Sequence, residues 1–150
     1  MRLRRMAIAL TLLVFCMAAG AADRKYVNAP RADDRKGLPF SDGVLVGNTL
    51  YIAGHIGLET KTGAPPASPE EEAKLAMDAV KQTVESAGLT MDDVVWIQVA
   101  CTDLKLYETF NAVYKTYFHG NFPARAFLGA NNLLRGGRFE VMGIAIKKTQ

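Results

Sequence analysis

Between Ser68 and Gly88 the chain spells out one complete amphipathic helix, and a helix of this kind dictates what must surround it. Ser68-Pro69-Glu70-Glu71 supplies a capping side chain, a proline at the first helical position and a glutamate at capping-box distance. Ala73, Ala76, Met77, Val80, Val84 and Ala87 then recur at helical spacing, while Lys74, Asp78, Lys81 and Glu85 share the opposite face. Gly88 supplies the stop. A single apolar stripe needs an apolar layer to cover, so the neighbouring sequence should supply a sheet.

It does. Val44-Leu45-Val46 and Thr49-Leu50-Tyr51-Ile52-Ala53 flank Gly47-Asn48, the pattern of a hairpin closed by a dipeptide that tolerates positive φ. A turn-rich stretch, Glu59 to Ala67, leads into the helix. Val94 to Cys101 is apolar except for Gln98 and reads as a central strand. Leu106, Phe110, Val113, Tyr114 and Tyr117 form a second helical stripe, ended by Gly120 and Pro123. Two last strands follow, Ala124 to Ala130 and Phe139 to Ile146. The order β-β-α-β-α-β-β predicts an α+β fold with two helices on one face of a mostly antiparallel sheet. The other face is left uncovered. With Leu50, Ile52 and Ile144 on these strands, burial against another subunit is the expected answer.

The first 21 residues read differently. Arg2, Arg4 and Arg5 precede an apolar run from Met6 to Met17, and Ala19-x-Ala21 offers a small-residue cleavage site. The run is shorter than the roughly twenty residues of a membrane span. Cys16 lies inside it after bulky Phe15, a poor context for lipid attachment. Residues 1–21 are therefore expected to be a cleaved secretory signal, 22–37 a polar arm and 38–150 a single domain. The expected location is periplasmic or extracellular, with no membrane association after cleavage.

Removing that leader alters the chemistry. The chain carries 18 basic and 15 acidic side chains; three of the basic ones and none of the acidic ones lie in the leader, so the remainder is neutral. A basic footprint for nucleic acid is then missing. Cys101 becomes the sole cysteine, unable to form an internal disulfide and set in an apolar run that suits a buried thiol. Two histidines, His55 and His119, without a Cys/His/Asp cluster at ligand spacing, do not support a metal site, and no Gly-rich phosphate loop follows a strand. His119, at a helix end, suits the negative end of the dipole.

The candidate that stands out is Arg125, in Phe122-Pro123-Ala124-Arg125-Ala126-Phe127. A guanidinium in an apolar strand needs an anionic partner. Its planar fork matches a carboxylate, so one reading is a pocket for a small carboxylic acid. The other is an internal ion pair with Glu140 or Asp103.

Six segments in order carry a family resemblance: Gly47-Asn48-Thr49-Leu50-Tyr51-Ile52-Ala53-Gly54-His55, Glu85-Ser86-Ala87-Gly88-Leu89, Thr102-Asp103-Leu104, Phe110-Asn111-Ala112-Val113-Tyr114, Phe122-Pro123-Ala124-Arg125 and Glu140-Val141-Met142-Gly143-Ile144-Ala145. Together they resemble the Rid (reactive intermediate deaminase) family, YjgF/YER057c/UK114, over about Leu38 to Ile146. The resemblance implies a chorismate-mutase-like fold, a homotrimer with ligand pockets between subunits, and hydrolysis of 2-imino acids to 2-keto acids and ammonia without metal or organic cofactor. It implies that Arg125 holds the substrate carboxylate, with Phe40, Ala53, Met142 and Asn111 around the substrate.

The departures fall where the chemistry would be. The family's tyrosine falls on Phe40, its serine on Ala53, the following glutamine on His55 and its water-positioning glutamate on Met142. Glu140 remains, on the same strand face as Met142 by the period of two. The loop Asn131 to Gly137 shows Asn132-Leu133-Leu134 in place of the family's Arg-Leu-Pro. His55 could replace a proton acceptor, its ordinary pKa lying near neutrality, or be a packed strand-end residue. Two functions follow from this pattern: an imine deaminase with Arg125 as anchor and Glu140 or His55 in support, or a non-catalytic trimeric binder of a small apolar carboxylate. The ribonuclease activity sometimes attached to the family is disfavoured by the neutral charge and the lack of an acid–base pair.

Overall fold

The computed structural model describes residues 23–30 and 38–148. The leader read at residues 1–21 and the 31–37 portion of the arm lie outside the described residues. Six strands are present: β1 (Arg24–Val27), β2 (Gly43–Val46), β3 (Thr49–Ile56), β4 (Val94–Cys101), β5 (Ala124–Gly129) and β6 (Phe139–Ile146). Two helices, α1 (Pro69–Ser86) and α2 (Tyr107–Tyr114), complete the layer. The sheet order is β1-β2-β3-β6-β4-β5, antiparallel except for the β4–β5 pair. The last strand in sequence is thus inserted in the middle, between β3 and β4.

The helix signals act as read. Ser68 Oγ accepts a hydrogen bond from Glu71 N at 3.3 Å, Pro69 occupies the first turn, and Gly88 leaves the helix with φ 79°. The hairpin turn is likewise local chemistry. Gly47 takes φ 60° between Val46 and Thr49, a positive φ at the first loop position, as a type II′ turn requires.

Alternation then divides the sheet. Leu50, Ile52, Ile97, Val99, Cys101, Phe139, Val141 and Ala145 face the helices and are buried with Ala73, Met77, Val80, Val84 and Phe110. This corrects the reading that set Leu50 and Ile52 on the uncovered face: both are buried under α1, whereas Tyr51 and Ile144 point the other way. A second difference concerns the arm. Arg24–Val27 is a strand, paired along β2 at the sheet edge, so the fold has one strand more than the five expected.

Sequence periodicity also missed two buried polar positions on α1. Glu72 is fully buried and accepts hydrogen bonds from Arg138 N, Arg138 Nε and Phe139 N (3.1 Å), fastening α1 to the start of β6. Arg138 also donates to the carbonyls of Pro66 and Ala67. Thr83, fully buried, places Oγ1 3.1 Å from His55 Nε2.

Candidate functional site

Arg125 lies on the edge strand β5, level with Ile97 of β4, and so points to the helix-covered side. There it meets α2. Its Nη2 donates to Asn111 Oδ1 at 2.8 Å and to the Tyr107 hydroxyl at 3.3 Å. The guanidinium carbon is 4.5 Å from the Tyr114 ring centroid, 5.6 Å from that of Tyr107 and 5.7 Å from that of Phe127. A cation among three aromatic faces is held by their quadrupoles but is not neutralised. Among the described residues Arg125 makes no ion pair, so neither Glu140 nor Asp103 is its partner.

The cation opens onto a cleft of about 520 Å³ lined by Tyr107, Asn111, Tyr114, Phe122 and Arg125, with Glu108 and Lys115 also on its wall. The aromatic wall is continuous: Tyr107 meets Phe127 edge-on at 5.0 Å, and Tyr114 stacks on Phe122 at 6.2 Å. Burial pushes the Tyr114 phenol up to about 12, against the opposing influence of the Arg125 charge. A half-buried, unneutralised fork in an aromatic cleft is equipped to take a small carboxylate.

The remaining candidates sit elsewhere. Glu140 and Met142 occupy the uncovered face of β6, where Met142 Sδ is 3.9 Å from the Gln98 amide nitrogen. Glu140 lies directly over Gly54, whose missing Cβ makes room for that carboxylate. Ala53, next to Gly54, is half-buried, and its N–H donates to the Asp42 carbonyl at 2.8 Å. Phe40 is exposed ahead of β2, near Tyr26 and Asn28, toward the far edge of the sheet. At the usual strand spacing, β2 and β5 are about 19 Å apart. One chain therefore brings Arg125 and Asn111 together, and sets Glu140, Met142, Ala53 and Phe40 apart from them.

His55 is not at a solvent-accessible site. A β-bulge shifts the β3–β6 register between Ile52 and His55 and turns the imidazole toward the helices, where it is 3% exposed. Its Nε2 meets Thr83, and its Nδ1 is 4.0 Å from Asp42 Oδ1. Asp42, also fully buried, accepts from Ala29 N at 2.9 Å through its other oxygen. Of the two readings for His55, the geometry gives the packed one. A strand-end histidine preceding a turn carries no sequence sign of the bulge.

Cys101 is buried, donates to the Asp103 carbonyl at 3.1 Å, and its thiol is raised by burial. Among the described residues no group of three or more His, Cys, Asp or Glu side chains could hold a metal ion. No helix among them is long and apolar enough to cross a membrane.

The chain is similar to known proteins in both sequence and fold. A family profile described as Endoribonuclease L-PSP matches residues 33–147. The chain is 37% identical over 125 residues to a 2-iminobutanoate/2-iminopropanoate deaminase of Bos taurus, spanning 83% of this chain and 90% of that protein. It is 35% identical over 124 residues to the protein of the same name in Escherichia coli K12, spanning 81% and 94%. Among solved structures it is similar to the YjgF gene product of E. coli, with TM-score 0.76 and 33% identity over 83% of this chain and 99% of that one. The E. coli TdcF structure with bound serine gives TM-score 0.73 and 30% identity over 83% and 99%.

Proposed function

The chain belongs to the endoribonuclease L-PSP family, the Rid or YjgF/UK114 proteins, and on that premise we propose that it is an exported hydrolase of 2-imino acids. Its products are 2-keto acids and ammonia. The observation that carries this reading is the Arg125 guanidinium, without a carboxylate partner among the described residues and facing a cleft that fits a small acid.

Arg125 holds the substrate carboxylate through the N–H donors that Asn111 and Tyr107 leave open, and so fixes the adjacent imine carbon. Water adds to that carbon as the imine nitrogen takes a proton. Collapse of the resulting carbinolamine forms the keto C=O and expels ammonia. Glu140 is the carboxylate available to orient the water and accept its proton. Met142 beside it replaces one acid by a thioether, and the retained Glu140 keeps the uncovered face from being wholly apolar.

Arg125 and Glu140 cannot meet one small substrate within a single chain, so a homotrimer with pockets between copies belongs to the proposal. Tyr51 and Ile144 on the uncovered face supply apolar surface for it. The leader read at residues 1–21 supports export to the periplasm or beyond. The endoribonuclease description of the profile is not adopted: the chain beyond the leader is neutral, and the Arg125 cleft suits a small acid rather than a polyanion.

The test uses the chain from Ala22 onward with an amino-acid oxidase generating the imine in place, keto-acid release being followed. Acceleration that disappears in Arg125→Ala supports the reading. The second reading, a binder without turnover, is favoured by the apolar Phe40, Ala53 and Met142. It prevails if the natural chain is inert and Met142→Glu creates activity.

A further inference from the structure

The hydrogen bonds around Arg125 have a direction that assigns a role to a residue outside the six resembling segments. A guanidinium can only donate. Its bonds to Asn111 Oδ1 and to the Tyr107 hydroxyl therefore use those oxygens as acceptors. The Tyr107 proton and the Asn111 amide protons are left pointing elsewhere, and among the described residues no acceptor takes the Tyr107 proton. Both Nη2 protons are thereby taken by the protein, and the Nε and Nη1 protons, on opposite edges of the guanidinium, remain for a ligand to meet singly.

Tyr107 is not placed there loosely. It is the first residue of α2, and its ring is fixed edge-on against Phe127, 5.0 Å away at 87°. That packing is independent of the hydroxyl. The hydroxyl group itself is what reaches the cleft beside the cation, on the same wall as Tyr114, whose own buried hydroxyl has no hydrogen-bond partner among the described residues. Two phenols and an amide thus surround one guanidinium without an ion pair among the described residues, and on the cleft wall the Glu108 charge is matched by Lys115. An anion is the chemical class that satisfies such a set.

We propose that Tyr107 is a substrate-binding residue, its hydroxyl donating an additional hydrogen bond to the carboxylate that Arg125 holds. This rests on the reading of Arg125 as the carboxylate anchor. A carboxylate offers about four lone-pair directions and a single Nε–H or Nη1–H of Arg125 takes one, so the Tyr107 hydroxyl beside Nη2 has a lone pair to donate to. Because the bond is made to the carboxylate and not to the imine, it persists through the reaction. Uniform binding of this kind sets KM and leaves kcat alone.

The test is calorimetric binding of 2-oxobutanoate, a stable acid of the product class, to the purified protein and to its Tyr107→Phe and Arg125→Ala variants. Tyr107→Phe retains the ring packed on Phe127. It is expected to weaken the acid by about tenfold, the loss of one hydrogen bond to a charged group. The neutral 2-oxobutanamide should bind the two proteins alike. With turnover measured beside binding, KM should rise by the same factor at unchanged kcat. Equal affinity of wild type and Tyr107→Phe for 2-oxobutanoate overturns the proposal, as does a wild type that shows no Arg125-dependent binding of the acid. The outcomes separate from those of the deaminase reading. Tyr107-dependent binding without imine hydrolysis sinks the enzyme and keeps Tyr107, whereas Arg125-dependent hydrolysis indifferent to Tyr107→Phe does the reverse.

Discussion

Arg125 and Glu140 stand on opposite faces of one sheet, two strands apart, the first turned toward α2 and the second toward the uncovered side. Strand spacing alone puts their backbones about 10 Å apart, and the sheet lies between their side chains. If both serve one substrate, they come from different copies of the chain.

Complementation follows from that arrangement. Arg125→Ala and Glu140→Gln are each expected to lose at least a hundredfold in kcat/KM. Mixed after co-refolding, the two inactive variants should recover activity, since some pockets join a native Arg125 from one copy to a native Glu140 from another. For random mixing in a cyclic trimer about a quarter of the pockets are native, which sets the expected recovery. Recovery no greater than the sum of the separate variants would contradict a shared pocket.

The Glu72–Arg138 clamp is expected to govern stability. Glu72 is fully buried, and its oxygens accept from two backbone N–H groups as well as from the guanidinium. Glu72→Ala strands those donors and unpairs Arg138, so urea unfolding should report a loss of about 3–5 kcal/mol. Arg138→Ala leaves a buried carboxylate that still has two backbone donors, and its loss should be the smaller of the two.

How much of this was legible in the residues depended on whether the signal was local. The α1 boundaries were, because Ser68, Pro69 and Gly88 act through their own backbone neighbours. Arg125 was, because an ion in an apolar strand is conspicuous wherever the strand goes. The strand β1 was not: Arg24-Lys25-Tyr26-Val27 is mostly exposed at a sheet edge and lacks an apolar rhythm. Glu72 was hidden because the donors that make its burial tolerable, on Arg138 and Phe139, lie 66 and 67 residues away. The separation of Arg125 from Glu140 depends on β6 inserting between β3 and β4, and strand order is not written in periodicity. Tyr107 lies just outside the helical stripe counted from Leu106, so its ring gave no sign of facing the cation.

His55 offers a check on the packed reading. His55→Ala removes a buried ring between Thr83 and Asp42, so a thermal melt should reveal destabilisation of about 1–3 kcal/mol. Activity per folded molecule, scored with the fraction folded measured in the same buffer, should stay within about twofold of wild type because the buried ring does not line the Arg125 cleft. A loss of kcat in a fully folded variant would return His55 to the chemistry.

Alkaline titration probes the aromatic wall of the cleft. The Tyr114 phenol is raised from 10 to about 12, mainly by burial, while Arg125 pulls it the other way. Tyr117, which donates to Asp78 Oδ1 at 2.7 Å, is raised as well, by burial and then by that hydrogen bond and charge. In both cases the folded state keeps a proton that the unfolded state releases near pH 10. Their contribution is complete below that pH and is lost as pH climbs through the folded value, so stability must fall between about pH 10 and 12. Tyr114→Phe removes one of the two raised phenols, and the slope of unfolding free energy against pH in that window should become shallower. Replacing Arg125 by alanine with Tyr114 intact should leave the onset near pH 10 and extend the fall to higher pH, because the cation that lowers the folded-state phenol is gone. Unfolding measured at pH 9, 10, 11 and 12 distinguishes these slopes, and an unchanged slope in Tyr114→Phe would show that the phenol ionises as freely in the folded protein as in the unfolded chain.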